Sequence, residues 1–275
     1  MKRATVLGAA LVFGAAAPLA AQATIGWDAA LFSSYVWRGV TYTNKPVVQP
    51  DLWVSFPVGT ASITVGGWGN VDIGKYDDPL HDRAESGGTS AFNFAEFDYW
   101  AEIGIPAGVA TITGGVTGYF FPNDLPGYTS AYNTTELYAK VGLSTPLSPK
   151  LSAYYDVDAV KGLYIEGSVT HGIPLGATTL NLGGLVGWNN GQSPSLKNFS
   201  YNFADDGFTH VDLSAALPFT AGPLSISPSV HGVIGIDKLT KVLSASSTNT
   251  GFKVWGGVTL SWSHGLGAPK EEASE

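Results

Sequence analysis

The sequence alternates between apolar and polar residues with a period of two through twelve segments. This is the period of a β-strand, whose successive side chains point to opposite faces of a sheet. Near residues 95–105, for example, Phe97 and Tyr99 alternate with Glu96 and Glu102. The other segments lie near residues 25–37, 47–56, 61–73, 109–121, 135–144, 151–158, 162–173, 178–188, 208–217, 224–236 and 252–262. The chain is therefore predicted to be all-β.

The two faces of these segments differ sharply in charge. In every segment the apolar face contains no Asp, Glu, Lys or Arg. In a transmembrane barrel this face meets lipid, where a charge near the midplane costs about 2–4 kcal/mol, and the polar face lines the lumen. The polar faces of a soluble β-sandwich, which also alternates, meet bulk water instead. The polar-face set is Asp28, Asp51, Asp72, Glu96, Asp98, Glu102, Glu136, Asp156, Asp158, Glu166, Asp212, Lys140 and Lys253.

The connections between segments alternate in length. Those rich in proline and glycine are short, and those between them are longer and polar; only 159–161 breaks the alternation. The short connections are 57–60, 106–108, 145–149, 174–177 and 218–223, and the long ones are 38–45, 74–93, 122–133, 189–207 and 237–250. Outer-membrane barrels alternate periplasmic turns and extracellular loops in this way. We therefore predict a transmembrane up-and-down antiparallel β-barrel of about 12 strands, with both chain ends on the periplasmic side.

The two ends of the chain are predicted to lie outside the barrel. A basic start, an apolar stretch and the small residues of Ala21-Gln22-Ala23 are typical of a cleaved export signal. We predict a signal peptide over residues 1–23, a barrel over 24–264 and a polar periplasmic tail over 265–275. The predicted location is the bacterial outer membrane. The expected partners are the lipid bilayer, small solutes or ions, and the barrel-assembly machinery during biogenesis.

Composition argues against other classes of protein. The chain has no cysteine, which excludes disulfides and thiolate metal sites. Its formal net charge of −8 argues against nucleic-acid binding. We expect no cofactor and no metal, and the sequence indicates no oligomeric state.

The first hairpin carries a family resemblance. Ser33-Ser34-Tyr35-Val36-Trp37-Arg38-Gly39, followed by Pro46-Val47-Val48-Gln49-Pro50, resembles the start of the TorF-like porin family of proteobacterial outer-membrane barrels. The chain departs from that pattern at Pro50-Asp51, where glycines are expected, and it continues past Trp262. The resemblance implies a barrel and passive transport, with no defined substrate.

The acidic polar face favours a channel that prefers cations, because low-dielectric walls focus the field of charges inside a pore. The candidate lumen residues are Glu96, Asp98, Glu102, Glu136, Lys140, Asp156, Asp158 and Arg38. An alternative is a structural or adhesive barrel whose lumen is filled by its own Trp68, Trp100, Tyr138, Tyr154, Tyr164 and Trp255.

A second alternative is an outer-membrane hydrolase. If the turn after residue 217 centres on 220–221, His210 faces His231 and Asp212 faces Ser229. These residue types are those of a nucleophile site or a divalent-metal site. Because a polar lumen holds such residues by composition alone, we expect no enzyme and no metal.

Two further expectations concern the loops and the aromatic residues. The charges of loop 74–93 (Asp77, Asp78, His81, Asp82, Arg83 and Glu85) form a constriction, a calcium site or a solvated run, and we expect the solvated run. Aromatic residues on the apolar face are expected to anchor the barrel at the membrane interfaces. They are Trp27, Tyr35, Trp37, Tyr99, Phe120, Trp188 and Trp262.

Overall fold

The computed structural model describes residues 22–78, 82–86, 91–122, 133–195, 200–244 and 251–267. The strands are β1 (Gln22–Phe32), β2 (Tyr35–Trp37), β3 (Val40–Thr43), β4 (Val47–Val58), β5 (Ala61–Asp72), β6 (Asn93–Ala107), β7 (Ala110–Phe120), β8 (Thr134–Leu143), β9 (Lys150–Asp156), β10 (Leu163–Leu175), β11 (Thr178–Asn190), β12 (Gly207–Ala216), β13 (Phe219–Ala221), β14 (Leu224–Gly235) and β15 (Phe252–Gly267). The helix α1 spans Lys238–Ser244. Within the described ranges, no helix is long and apolar enough to cross a membrane.

Twelve strands form one closed antiparallel barrel, which confirms the predicted fold. β1 pairs with β4 on one side and with β15 on the other, and β12 pairs with β14. The seam between β1 and β15 runs from Gln22 opposite Gly267 to Phe32 opposite Gly257. β15 thus extends three residues past position 264, where the barrel was predicted to end. We call the end with the short connections and the described chain ends the turn end, and the opposite end the loop end.

The predicted separation of faces is confirmed in the wall. On β8, Leu137 and Val141 point outward and are 52% and 41% exposed, whereas Glu136 points inward and is 1% exposed. Outward apolar side chains of this kind form the band that a bilayer covers. A β-bulge opposite Asn70 and Val71 shifts the register of β6, so Ala95, expected on the apolar face, is buried instead.

The predicted first strand, 25–37, is wrong beyond Phe32. β1 ends there, and β2 and β3 pair only with each other in a separate hairpin. Phe32 pairs directly with Val47, so the wall closes without the intervening residues. The hairpin folds into the lumen, and Tyr35 and Trp37 lie inside rather than on the lipid face. The alternation misled the prediction because a lumenal hairpin also buries alternate aromatic side chains.

The lumen is filled at one end. The buried apolar cluster contains Val40, Tyr164 and Phe203 with Tyr42 and Tyr154 packed against it, and it lies near the loop end. Toward the turn end most inward positions carry small, partly or fully exposed hydroxyl side chains, although Ser152, beside Lys140, is buried. They include Ser55, Ser62, Thr64, Thr111, Thr113, Ser168, Thr170, Ser225, Ser227, Thr259 and Ser261. The lumen is therefore packed at the loop end and accessible to water from the turn end.

Candidate functional site in the lumen

The turn of the hairpin brings Arg38 against the wall at β8. Its Nη1 and Nη2 donate hydrogen bonds to Oε1 and Oε2 of Glu136, each at 2.7 Å. Tyr119 donates a further bond from its hydroxyl to Glu136 Oε2 at 2.8 Å. The Arg38 and Glu136 side chains are 6% and 1% exposed. Removing one partner of such a buried pair costs about 3–5 kcal/mol, so this contact anchors the hairpin.

Aromatic rings surround the Arg38 guanidinium. Its Cζ lies 4.1 Å from the ring centroid of Trp37, 4.2 Å from that of Tyr164 and 4.8 Å from that of Tyr154. Trp37 belongs to the hairpin, whereas Tyr154 and Tyr164 belong to β9 and β10 of the wall. Each cation–π contact of a desolvated guanidinium contributes up to about 2 kcal/mol. We call Glu136, Tyr119, Tyr154 and Tyr164 the wall cage.

The hairpin can turn at this place because its tip is Arg38-Gly39. Gly39 has a φ of 82°, a conformation that favours glycine. A Cβ atom at Gly39 would lie 2.5 Å from His210 Cγ, so the wall also leaves no room for a side chain. His210 is buried and lies with Nδ1 3.0 Å from Thr209 Oγ1. His210 therefore supports the hairpin tip.

The two strands of the hairpin are also fastened to β5 and β6, which lie on the same side of the barrel as β8. Tyr35 donates from its hydroxyl to Glu96 Oε2 at 2.8 Å, and Thr43 Oγ1 donates to Asp72 Oδ1 at 2.8 Å. The other oxygen of Asp72 accepts from the backbone N and Oγ of Ser86. The hairpin is thus tied to β5 and β6 as well as to β8.

Part of loop 74–93 folds inward, which corrects the expectation of a wholly solvated charge run. The backbone N of Glu85 donates to Thr43 Oγ1 at 3.0 Å, and its carboxylate accepts from Asn70 Nδ2 at 2.8 Å. Burial and the neighbouring Glu96 raise the pKa of Glu85 well above its usual range. A hydrogen bond from Lys45 Nζ, 2.7 Å from Asp82 Oδ2, lowers the pKa of Asp82.

The inward loop segment lies over the hairpin. In this position polar groups of the loop form hydrogen bonds with polar groups of the hairpin. The loop's His81 lies outside the described residues. Among the residues that the structure describes, no group of three or more His, Asp or Glu side chains is arranged to hold a metal ion.

Glu96 and Asp98 lie together on β6 beside the hairpin. Both are at least nine-tenths buried, and Asp98 Oδ1 accepts no hydrogen bond from the residues that the structure describes. Neither carboxylate forms an ion pair within the described part of the chain. The two predicted lumen residues therefore line the packed end of the lumen, where the hairpin covers them.

Glu102 and Lys140 occupy the water-accessible part of the lumen. Lys140 Nζ lies 3.4 Å from Glu102 Oε2, and the two side chains are 27% and 29% exposed. The Tyr138 hydroxyl donates to the same oxygen at 2.9 Å, and Lys140 lies 4.2 Å from the Tyr138 ring centroid. These predicted residues are brought together, and they face the open lumen.

Asp156 lies on the inward face of β9 opposite Glu136, whereas Asp158 lies off the wall. Asp156 Oδ1 accepts hydrogen bonds from the backbone N of Asp158, Val160 and Lys161, each at 3.0 Å. Its Oδ2 accepts from Thr134 Oγ1 at 2.6 Å. Asp158 lies beyond the end of β9 in an exposed turn rather than on the lumen wall. Asp156 thus holds a tight connection, because its carboxylate supplies acceptors that the turn backbone needs.

The predicted pairing of His210 with His231 is wrong. His210 pairs with Gly235, His231 with Ser214, and Ser229 with Ala216. The turn contains the extra strand β13, which moves its centre toward the C-terminus and shifts the register by four residues.

The structure does bring Asp212 and His231 together. His231 Nδ1 lies 3.1 Å from Asp212 Oδ1, and the imidazole stacks on Trp255 with ring centroids 4.1 Å apart. Ser229 and His210 are not part of this contact. The predicted four-residue cluster is therefore reduced to a hydrogen-bonded pair in the lumen.

Solved structures with a similar fold are outer-membrane β-barrels. LpxR from Salmonella typhimurium is 8% identical with a TM-score of 0.51, and the match covers 87% of this chain and 99% of that one. The KdgM porin in complex with disordered oligogalacturonate is 10% identical with a TM-score of 0.45, covering 87% and 98%. Outer membrane phospholipase A from Escherichia coli is 12% identical with a TM-score of 0.44, covering 88% and 90%. At such identities the likeness shows the fold alone.

The fold is a closed antiparallel β-barrel of twelve strands, similar to the fold of these outer-membrane proteins. The chain belongs to the family described as bacterial protein of unknown function (Gcw_chp), whose model matches residues 15–228. No curated protein matches the sequence. The resemblance of residues 33–39 and 46–50 to TorF-like porins stays a prediction.

Proposed function

We propose that the chain is a channel of the bacterial outer membrane that passes small solutes, prefers cations, and is closed at its loop end by the hairpin β2–β3. The charge of the lumen carries this proposal. In the water-accessible part, the inward positions hold five carboxylates and three lysines. They are Asp28, Asp51, Glu102, Glu166, Asp212, Lys140, Lys150 and Lys253. An acidic wall of low dielectric raises the local concentration of cations.

The arrangement of the large aromatic residues supports an open lumen toward the turn end. A Cβ at Gly66 would lie 2.5 Å from Trp100 Cε2, and one at Gly115 would lie 2.3 Å from Tyr138 Cζ. These rings therefore lie against glycines of the adjacent strands rather than across the lumen. Twelve strands also lie between the eight of side-chain-filled barrels and the sixteen of open porins.

The inward hairpin favours a second candidate, a permanently closed structural barrel. In this version the hairpin, rather than the predicted aromatic side chains, fills the lumen. The hydroxyl-lined half of the lumen supports the channel instead, because a closed barrel gains no stability from a hydrated cavity. Enzymatic activity has weaker support, since the structure separates Ser229 and His210 from Asp212 and His231.

A planar-bilayer recording of the full chain tests this function. Across a tenfold KCl gradient we expect a reversal potential on the cation side, toward the limit of about 59 mV for a perfectly selective monovalent pore. Glu102→Gln shifts it toward zero, because it removes a carboxylate from the open lumen. Asp158→Asn is the matched control, since Asp158 lies in an exposed turn, and it leaves the potential unchanged. Anion selectivity contradicts the proposal, and the absence of any current establishes the closed barrel.

A further inference from the structure

The site that holds Arg38 is built from two separable parts. The wall cage of Glu136, Tyr119, Tyr154 and Tyr164 belongs to four neighbouring barrel strands. Arg38 comes from a segment that the wall does not need, because Phe32 pairs directly with Val47. The cage therefore persists when the hairpin leaves, and Glu136 then loses the two N–H donors that Arg38 supplies.

The cage is shaped for a planar cation. A carboxylate that receives two parallel N–H bonds selects the fork of a guanidinium, whereas an ammonium ion meets it as a point charge. The Tyr164 and Tyr154 ring centroids, 4.2 Å and 4.8 Å from Arg38 Cζ, provide faces for cation–π contact. The hydroxyl of Tyr119 donates to Oε2 of the same carboxylate and helps to hold its orientation.

We propose that the wall cage is a binding site for solutes that carry a guanidinium group, and that Arg38 is its built-in occupant. Such a solute competes with Arg38 for Glu136 and thereby releases the hairpin from the wall. The proposal adds to the channel function a class of solute that opens the channel. This opening step rests on the proposed channel function. Binding in the cage can nevertheless be measured without any current.

Chemical rescue of Arg38→Ala tests the site with the full chain in detergent. The variant empties the cage, so we expect faster amide hydrogen exchange at Tyr35–Trp37 and Val40–Thr43. Millimolar methylguanidinium restores slow exchange by at least tenfold, whereas methylammonium at equal concentration does not. The double variant Arg38→Ala/Glu136→Gln shows no rescue. Lys140→Ala, which breaks the partly exposed pair with Glu102, is the matched control and does not respond to methylguanidinium.

A second measurement keeps the proposal testable if Arg38→Ala does not fold. In a chain whose residues 33–46 are replaced by a two-residue turn, methylguanidinium binding is measured by isothermal titration, with and without Glu136→Gln. Equal effects of methylguanidinium and methylammonium, or binding that survives Glu136→Gln, overturn the proposal. If methylguanidinium rescues Arg38→Ala but the chain passes no current in bilayers, the guanidinium site stands and the channel function is refuted. If the chain passes current but shows neither rescue nor binding, only the guanidinium site is refuted.

Discussion

Replacing the hairpin by a minimal turn opens the barrel without altering its wall. Phe32 and Val47 are direct antiparallel partners, so their Cα atoms are about 4.5–5.5 Å apart. Asn-Gly, the two-residue turn that antiparallel strands prefer, therefore suffices to join them in place of residues 33–46. The removed segment carries Arg38 and Lys45 as its only charges, so the lining loses two positive charges.

The size of the effect follows from the anchor. Breaking the buried Arg38–Glu136 pair costs about 3–5 kcal/mol, and each 1.4 kcal/mol is a factor of ten in an equilibrium. The hairpin of the full chain is then displaced for at most roughly one part in 10² to 4 × 10³ of the time, because its bonds to Glu96 and Asp72 also hold it, whereas the shortened chain is always open.

Bilayer recordings measure this difference as mean current per inserted protein. We expect an increase of about 100-fold or more on replacing the hairpin, with a reversal potential closer to the cation limit. Lys140→Ala in the full chain is the control, because its partner is partly exposed and such a pair contributes at most about 1 kcal/mol. Equal mean currents in the full and shortened chains would refute the reasoning.

Three further predictions concern single contacts. A cysteine at Leu137 is protected from aqueous thiol reagents in membranes while one at Lys140 reacts, and the reverse pattern means that the β8 register is wrong by one residue. Asp156→Ala removes the acceptor of three backbone N–H groups, so it lowers the unfolding free energy by about 1–3 kcal/mol, as measured by urea titration in detergent; an unchanged midpoint contradicts this role. The raised pKa of Glu85 means that its inward position is favoured at low pH and lost as pH rises through that pKa. The rate of hydrogen exchange at the Glu85 amide, corrected for its intrinsic pH dependence, should therefore rise with pH. If the same rise is seen at this amide in Glu85→Gln, the assignment to the Glu85 carboxyl is contradicted.

The wall could be predicted from the sequence because lipid and lumen place opposite demands on alternate residues. Leu137 and Glu136 are adjacent in sequence, and only one arrangement keeps the carboxylate out of lipid. Every wall strand repeats this requirement, so the strand count and the inward facing of the charged residues within the wall strands followed from period and charge, whereas Asp158 lies beyond the end of β9. The outward positions of Trp27, Tyr99, Phe120, Trp188 and Trp262 were predicted on the same basis.

The hairpin and the wall cage could not be predicted in this way. Tyr35 and Trp37 continue the alternation of β1, and nothing in the period shows that the chain has left the wall after Phe32. Arg38 and Glu136 are 98 residues apart, so their pairing depends on a hairpin that bends inward. Arg38 and Gly39 both have positive φ, 50° and 82°, which reverses the chain at the hairpin tip, and the sequence Arg38-Gly39 is the visible sign of that turn.

Sided labelling of one lumenal cysteine tests most directly whether the hairpin closes one end of a water-filled barrel. Thr113 points into the open half of the lumen opposite Lys140, and the chain has no native cysteine. In oriented bilayers, a membrane-impermeant thiol reagent should modify Thr113→Cys from the turn end only, and from both ends once residues 33–46 are replaced by the two-residue turn. Equal modification from both ends in the full chain would contradict closure by the hairpin.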